Sequence, residues 1–268
     1  DFAALTNLNC SQNSLTTLNI SKNTALTTLD CSTNRITSLD VSNNIALLNL
    51  SCYSNQLTSL NVKANTALTK LDSGSNLYTS LDVRSNTALT FLGCNTSQLT
   101  SLDVSNNTAL NLLDCRENKL TSLDVTKITT LTELYCQSNQ LTNLNLSKNK
   151  VLEFVNCSKN QLTTLDVSAN NALVGLFPNS NQLTSLNLKN GNNDKLIYLN
   201  FVNNPSLTCI QVDDVAYANA NWSSKKDLAA NFNTNCNYGY TLIPDLNFEK
   251  ALIAKGTDSG TPDGRVLT

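Results

Sequence analysis

The sequence predicts a right-handed β solenoid of about ten short coils, with a parallel sheet on one face and extended segments on the other. Three observations lead there. Cys10, Cys31, Cys52, Cys94, Cys115, Cys136 and Cys157 recur in one 21-residue phase, and Ser73 and Pro178 fill the two slots where cysteine is missing. An asparagine follows three residues later in nearly every repeat (Asn13, Asn34, Asn55, Asn76, Asn118, Asn139, Asn160, Asn181), with Ser97 as the exception. Within the repeat, apolar and polar residues alternate with the period of a strand, and no helical period appears. A fixed period of this length makes each repeat one unit that buries its apolar side only against its neighbours.

Residues 26–44 serve for all the coils. Leu26, Leu29, Cys31, Asn34 and Ile36 fit L-x-x-L-x-L-x-x-N-x-L, the leucine-rich repeat template, with cysteine in the third apolar slot. Leu29 and Cys31 flank Asp30, so a short strand points the two apolar residues inward. Stacked coils pair these strands in parallel, and the crossover is right-handed. Leu39-Asp40-Val41 alternates in the same way and reads as a second extended segment on the opposite side, with the option of a second narrow sheet. The tenth coil falls at Leu199-Asn200-Phe201, after a two-residue insertion around Gly191. At ~4.8 Å per strand the array spans roughly 45 Å. The Asn column belongs in the turn after the strand, where a buried amide pairs with backbone groups of its own coil and the next. A second column (Asn23, Asn44, Asn65, Asn86, Asn107, Asn149, Asn170) suits the other turn, where Asn tolerates left-handed geometry.

On these residues the chain resembles the leucine-rich repeat proteins secreted by Bacteroidetes bacteria, whose coils read like TALTxLxCxxNQLTSLDVSxN. The resemblance covers residues 1–208 and implies a horseshoe-like array, secretion or surface display, and no single ligand. Residues 209–240 resemble the C-terminal cap that closes such arrays, and 241–268 resemble the start of a further module, the N-terminal cap of another array. The sequence begins within a repeat (DFAALTNLNC), so a longer, multi-modular chain is expected, with this part monomeric.

Composition narrows the chemistry. Only 14% of the 268 residues are charged and the net charge is −2, so no basic patch is available for nucleic acid. No apolar run reaches membrane-spanning length, and no leader pattern appears. Histidine is absent, which removes His-based acid–base catalysis, His-paired nucleophiles and His metal sites. No cofactor is expected, and the chain is read as a non-enzyme. The periodic cysteines read as small core fillers, because metal sites need clustered ligands and because Ser, Pro and Phe replace cysteine in the same phase. Cys209 and Cys236 lie outside that phase and bracket the only tryptophan, Trp222, which suits a disulfide and an oxidising compartment.

Four outward positions per coil line the strand face, and most hold small polar residues. The exceptions gather in the second half. Tyr135, Phe154, Phe177 and Tyr198 fall on four successive coils as an expected diagonal band, with Phe91 nearby and Arg116, Glu133 and Lys159 flanking. Exposed aromatics on a rigid sheet point to recognition of a protein or glycan at the cell exterior. The rivals are a structural spacer of a large adhesin and an accessory carbohydrate-binding region. The opposite side carries an unbroken Thr column from Thr16 to Thr184 and an Asp/Asn column including Asp82, Asp103 and Asp124. Ice binding or Ca²⁺ binding on these ladders are the minor readings, and turn capping is the plain one.

Overall fold

In a computed structural model of the chain, residues 4–236, 240–242, 246–255 and 265–267 are described. Ten front strands pair in parallel in the order in which the coils follow one another, from Asn7–Asn9 to Tyr198–Leu199. Each residue pairs with its counterpart one repeat later, as in Leu29 with Leu50 and Leu50 with Leu71. The register jumps once, where Gly175 meets Tyr198. The insertion is absorbed on the far side of the coil, at Gly191 (φ +78°) and a short 3-10 turn, Asn193–Lys195.

The middle residue of every strand from the second coil on is buried, and the cysteine after it is buried too. Leu29, Leu50, Leu71, Leu92, Leu113 and Leu134 form one continuous row in a single core. Cysteine suits its slot because a small soft side chain fits between two leucine rows. All seven periodic cysteines are free thiols. Six are fully buried, and burial pushes them upward, Cys31 and Cys157 to about 12. Cys10 departs from the expectation for the column. It is only partly buried, because the first described coil has a neighbour on one side only.

The turn after each front strand is built the same way in nearly every coil. Asn118 donates its amide to the carbonyls of Cys94 and Cys115 at 3.0 Å each, and its Oδ1 accepts from the Leu99 N–H at 3.0 Å. Asn55, Asn76, Asn139 and Asn160 repeat this pattern. The neighbour served is the preceding coil, not the following one. The residue just before this Asn is left-handed in all ten coils, from Gln12 (φ 55°) to Asn203 (φ 61°), although none of the ten is glycine. An L side chain in that region is strained, so the turn holds it by over-determining the backbone around it.

The second Asn column does not take left-handed geometry. Asn44, Asn65, Asn86, Asn107, Asn149 and Asn170 are fully buried and have negative φ. Each amide reaches across to two carbonyls of the coil before, as Asn86 does to Val62 and Asn65. Each also joins two successive turns, as Asn44 does by donating its N–H to the Val41 carbonyl and accepting at its own carbonyl from the Leu47 N–H, and these turns form without positive φ.

One pair of coils departs from the pattern in three places together. Ser73 takes a cysteine slot, Tyr78 takes a leucine slot, and Ser97 takes an asparagine slot. Tyr78 is fully buried, with its hydroxyl 2.9 Å from Ser73 Oγ and donating to the Ser73 carbonyl at 2.7 Å. Burial holds this phenol well above its usual range.

The narrow back sheet forms only at the C-terminal end. It has four strands: Thr164–Asp166, Ser185–Asn187, Cys209–Gln211 and Asn231–Asn233. In earlier coils the Leu-Asp-Val segment is extended but unpaired among the described residues. Strand pairing thus holds the coils together on the front throughout and on the back at this end, while the second Asn column ties the back of the earlier coils. Helix α1 (Val215–Trp222), capped by the Asp214 carboxylate on the N–H groups of Ala216 and Tyr217, lies against the last coil. Trp222 packs edge-on against Phe201, Tyr217 and Phe232. The Asp227 carboxylate accepts from the N–H groups of Asn203 and Asn204, the groups that a further coil would otherwise engage. Cys209 and Cys236 form the expected disulfide, with Cα atoms 5.8 Å apart. Of the stretch expected to open a following module, the structure describes helix α2 (Leu246–Ala254) and an antiparallel pairing of Tyr240–Leu242 with Arg265–Leu267. The rest of that expectation lies outside the described residues.

Two outcomes follow. Thiol labelling of the native protein modifies Cys10 alone, and the six buried cysteines react only after denaturation; rapid native labelling of three or more contradicts the burial. Asn118→Ala leaves the buried Leu99 N–H and the Cys94 carbonyl without their partner, while the Cys115 carbonyl keeps Asn139, and it costs about 3 kcal/mol in denaturant unfolding, against under about 0.5 kcal/mol for exposed Thr100→Ala.

Candidate functional site

All front strands but the last, Tyr198–Leu199, are three residues long with the middle one inward, so two side chains per strand stand on the face. These sit three and one positions before the cysteine. A third position, one residue after the cysteine, faces outward from the turn. Among the small polar residues there, the aromatic and charged ones divide into two groups.

The first group is the aromatic band. Tyr135 and Phe154 have ring centroids 5.8 Å apart, and Phe154 and Phe177 lie 5.4 Å apart, both pairs tilted at 38°. The three rings step across consecutive coils as a zigzag. They close up because Gly175 lies beneath: a Cβ there would collide with the Phe154 ring. Mutual contact leaves all three half-buried. Tyr135 donates its hydroxyl to Glu133 Oε2 at 2.7 Å. Burial first, and this carboxylate second, push the phenol up to about 12. Tyr198 does not join the band. Its strand pairs beside Gly175 rather than Phe177, and its ring stays 57% exposed with no ring contact among the described residues. Lys159 is an exposed turn residue at the margin, in the left-handed position of its coil.

The second group surrounds Gly93, three coils earlier. Asp72, Gly93 and Asp114 are successive partners in the sheet register. A shallow cleft of about 200 Å³ opens above Gly93, walled by Tyr53, Phe91, Asn95 and Arg116 together with the two carboxylates. The Lys70 ammonium sits 4.9 Å from the Phe91 ring centre, and Arg116 pairs with Asp114 at 3.4 Å. Burial raises both carboxyl groups above the ordinary range, partly offset by Lys70 for Asp72 and by Arg116 for Asp114. Phe91 and Arg116 therefore belong here and not with the band.

On the back, the Asp/Asn column is occupied by its own turns. Asp40, Asp103 and Asp124 each accept from the backbone N–H two residues on, at 2.9–3.0 Å; the hydroxyl and then the backbone of Ser42 and of Thr126 lower Asp40 and Asp124, and the backbone and then the hydroxyl of Ser105 lower Asp103. Asp82 does the same at 3.1 Å and pairs with Arg84 at 2.8 Å. The Thr column is exposed. Among the described residues no three Cys, Asp or Glu side chains converge as a metal site would require.

With this geometry in place, the comparisons with known proteins are informative. The functional domain of InlJ from Listeria monocytogenes, a structure that includes a cysteine ladder, is 40% identical. The match covers 80% of this chain and 50% of that one, with a TM-score of 0.70. The fold is a leucine-rich repeat. The leucine-rich repeat protein LIC12759 of Leptospira interrogans is 26% identical over 79% of this chain and 55% of its own, with a TM-score of 0.67. The ectodomain of the Arabidopsis thaliana receptor kinase GASSHO1/SCHENGEN3, in complex with CASPARIAN STRIP INTEGRITY FACTOR 2, shares the fold at 22% identity (87% of this chain, 30% of that one, TM-score 0.70). The chain spans about half the length of the two bacterial structures. No protein-family model and no curated protein sequence matches it. No helix among the described residues is long and apolar enough to cross a membrane.

Sequence reasoning found the band but missed the cleft. The signal was present in Gly74 and Gly93, two glycines in strand-face slots that other coils fill with side chains. It also missed the buried Ser73–Tyr78 pair, which three simultaneous departures from the repeat at 73, 78 and 97 announce. The Tyr135 phenol offers a direct check. In Glu133→Gln its ultraviolet titration, isolated by difference against Tyr135→Phe, moves below 12 but stays above the ordinary tyrosine range of about 10, because burial is the larger cause. An unchanged titration means that the carboxylate is not its partner.

Proposed function

We propose that this chain is a non-enzymatic recognition module of a secreted or cell-surface protein, with the strand face as its contact surface and a protein as its principal partner. The observation that carries this reading is the three-ring contact of Tyr135, Phe154 and Phe177 on a face otherwise made of small polar residues. Large rings bury much area at little entropic cost, and aromatic anchors dominate binding hot spots. The sheet beneath them is held at every rung, so association orders few side chains. The complexed plant ectodomain supports protein recognition as a use of the fold. The disulfide supports an oxidising exterior compartment. The cap around α1 and the stretch beyond it are read as the end of this array and the start of a further module in a longer chain.

Phe154→Ser combined with Phe177→Ser weakens binding of a partner captured on a protein and glycan array by about 2 kcal/mol or more, with little loss of thermal stability. Thr100→Ala with Thr121→Ala on the back leaves binding intact. The opposite pattern moves the contact surface to the Thr column.

A further inference from the structure

We propose that the cleft above Gly93 is a subsite for a single neutral pyranose ring bearing vicinal hydroxyl groups. The site stands on residues other than the aromatic band, so its failure leaves that contact surface untouched.

Size comes first. At about 200 Å³ the cleft lies below the roughly 300–1,000 Å³ of drug-sized pockets, so it suits one ring. Its existence depends on missing side chains. Glycine weakens a strand, and in a strand interior it marks places where a ligand or another backbone approaches closely. At Gly93 the missing side chain lets the Asp72 carboxylate and the Phe91 ring close in, and a Cβ there would stand 2.9 Å from Asp72 Oδ1 and 3.2 Å from the Phe91 ring. Gly74, in the adjacent coil, is covered by the Asn95 side chain, which is 5% exposed. Of the two glycines, only Gly93 lines the cleft.

The rim decides the class of ligand. Asp72, Asp114 and Arg116 line the cleft, and Lys70 lies just outside the lining, over the Phe91 ring and near enough to lower Asp72, so the formal charges around the cleft balance. A phosphate would meet the carboxylates, and an amine would meet Arg116. A neutral polyol meets neither objection. Vicinal hydroxyls both donate and accept. The carboxylates, raised by burial, gain from hydrogen-bond donors that need bring no charge. The Arg116 fork supplies donors to hydroxyl oxygens, and the Asn95 amide supplies either role. Tyr53 and Phe91 give the aromatic walls on which the apolar C–H face of a sugar ring packs. Donors, acceptors and ring faces converge in this cleft.

The test is a ¹H–¹⁵N NMR titration of the intact chain with methyl α-mannopyranoside, methyl β-glucopyranoside and methyl β-galactopyranoside. At least one is expected to shift the backbone amides of Gly93 and its neighbours at 72–74, 95 and 114–116 saturably, while those of the band at 154–177 stay still. Gly93→Ala inserts one methyl group into the site and weakens that binding about tenfold or more. Its outward position in an ordinary strand keeps the melting temperature close to that of the parent. Asp114→Asn is a second variant expected to weaken binding, and Phe154→Ser is expected to leave it unchanged. An array carrying polysaccharide fragments and glycoprotein glycans identifies the source of the ring, and binding on either set is expected to disappear with Gly93→Ala. The proposal is overturned if none of the three pyranosides moves the Gly93 amide, or if the shifts persist undiminished in Gly93→Ala.

Discussion

The turn after each front strand governs this molecule. Each coil must leave the strand at once, and it does so through a residue at positive φ followed by an asparagine whose amide spans two coils. Without that column of amides, one N–H and one carbonyl per coil would be buried unpaired, at roughly 1–3 kcal/mol each. The same bonds carry the register. Because the Asn of one coil binds backbone of the coil before it, the strands cannot slide past one another, and every outward side chain keeps its place in the grid.

That fixed grid makes the strand face a surface on which small changes of side chain have local and separate effects. Two glycines show this. Gly175 removes a side chain and lets Phe154 lie between Tyr135 and Phe177, producing a raised apolar strip. Gly93 removes a side chain between two aspartates and leaves a polar hollow. Neighbours close in on both omissions, the apolar Phe154 ring over Gly175 and the Asp72 carboxylate with the Phe91 ring over Gly93, and this difference in neighbours makes one spot apolar and the other polar. The back of the solenoid uses its polar side chains differently. Its aspartates turn toward their own backbone, so a column of carboxylates becomes a column of turn caps.

The ends of the array obey the same economy of hydrogen bonds. At the C-terminus the Asp227 carboxylate stands in for the backbone of a missing coil, and the Cys209–Cys236 disulfide joins the region of the last two back strands. At the first coil Cys10 lacks such cover and is the least buried of its column.

The sequence by itself determined the solenoid, the inward rows of leucine and cysteine, the bridging asparagines, the disulfide and the place of Phe154 and Phe177 on one face. All of these follow from period, because a residue that recurs every 21 positions occupies one environment whatever the details of the coil. What period cannot express was decided by tertiary structure. The back sheet closes only where backbone groups of successive coils come within bonding distance, from Thr164 onward. Tyr198 keeps the column of Phe154 and Gly175, the insertion being absorbed on the far side of the coil, yet its ring stands clear of the band. The left-handed residue lies before the first asparagine and not at the second, because the second joins two successive turns that need no positive φ. The division of Phe91 and Arg116 from Tyr135 and Phe154 came from which neighbours fill the space over a glycine, and a list of residue types holds no distances from which to read that.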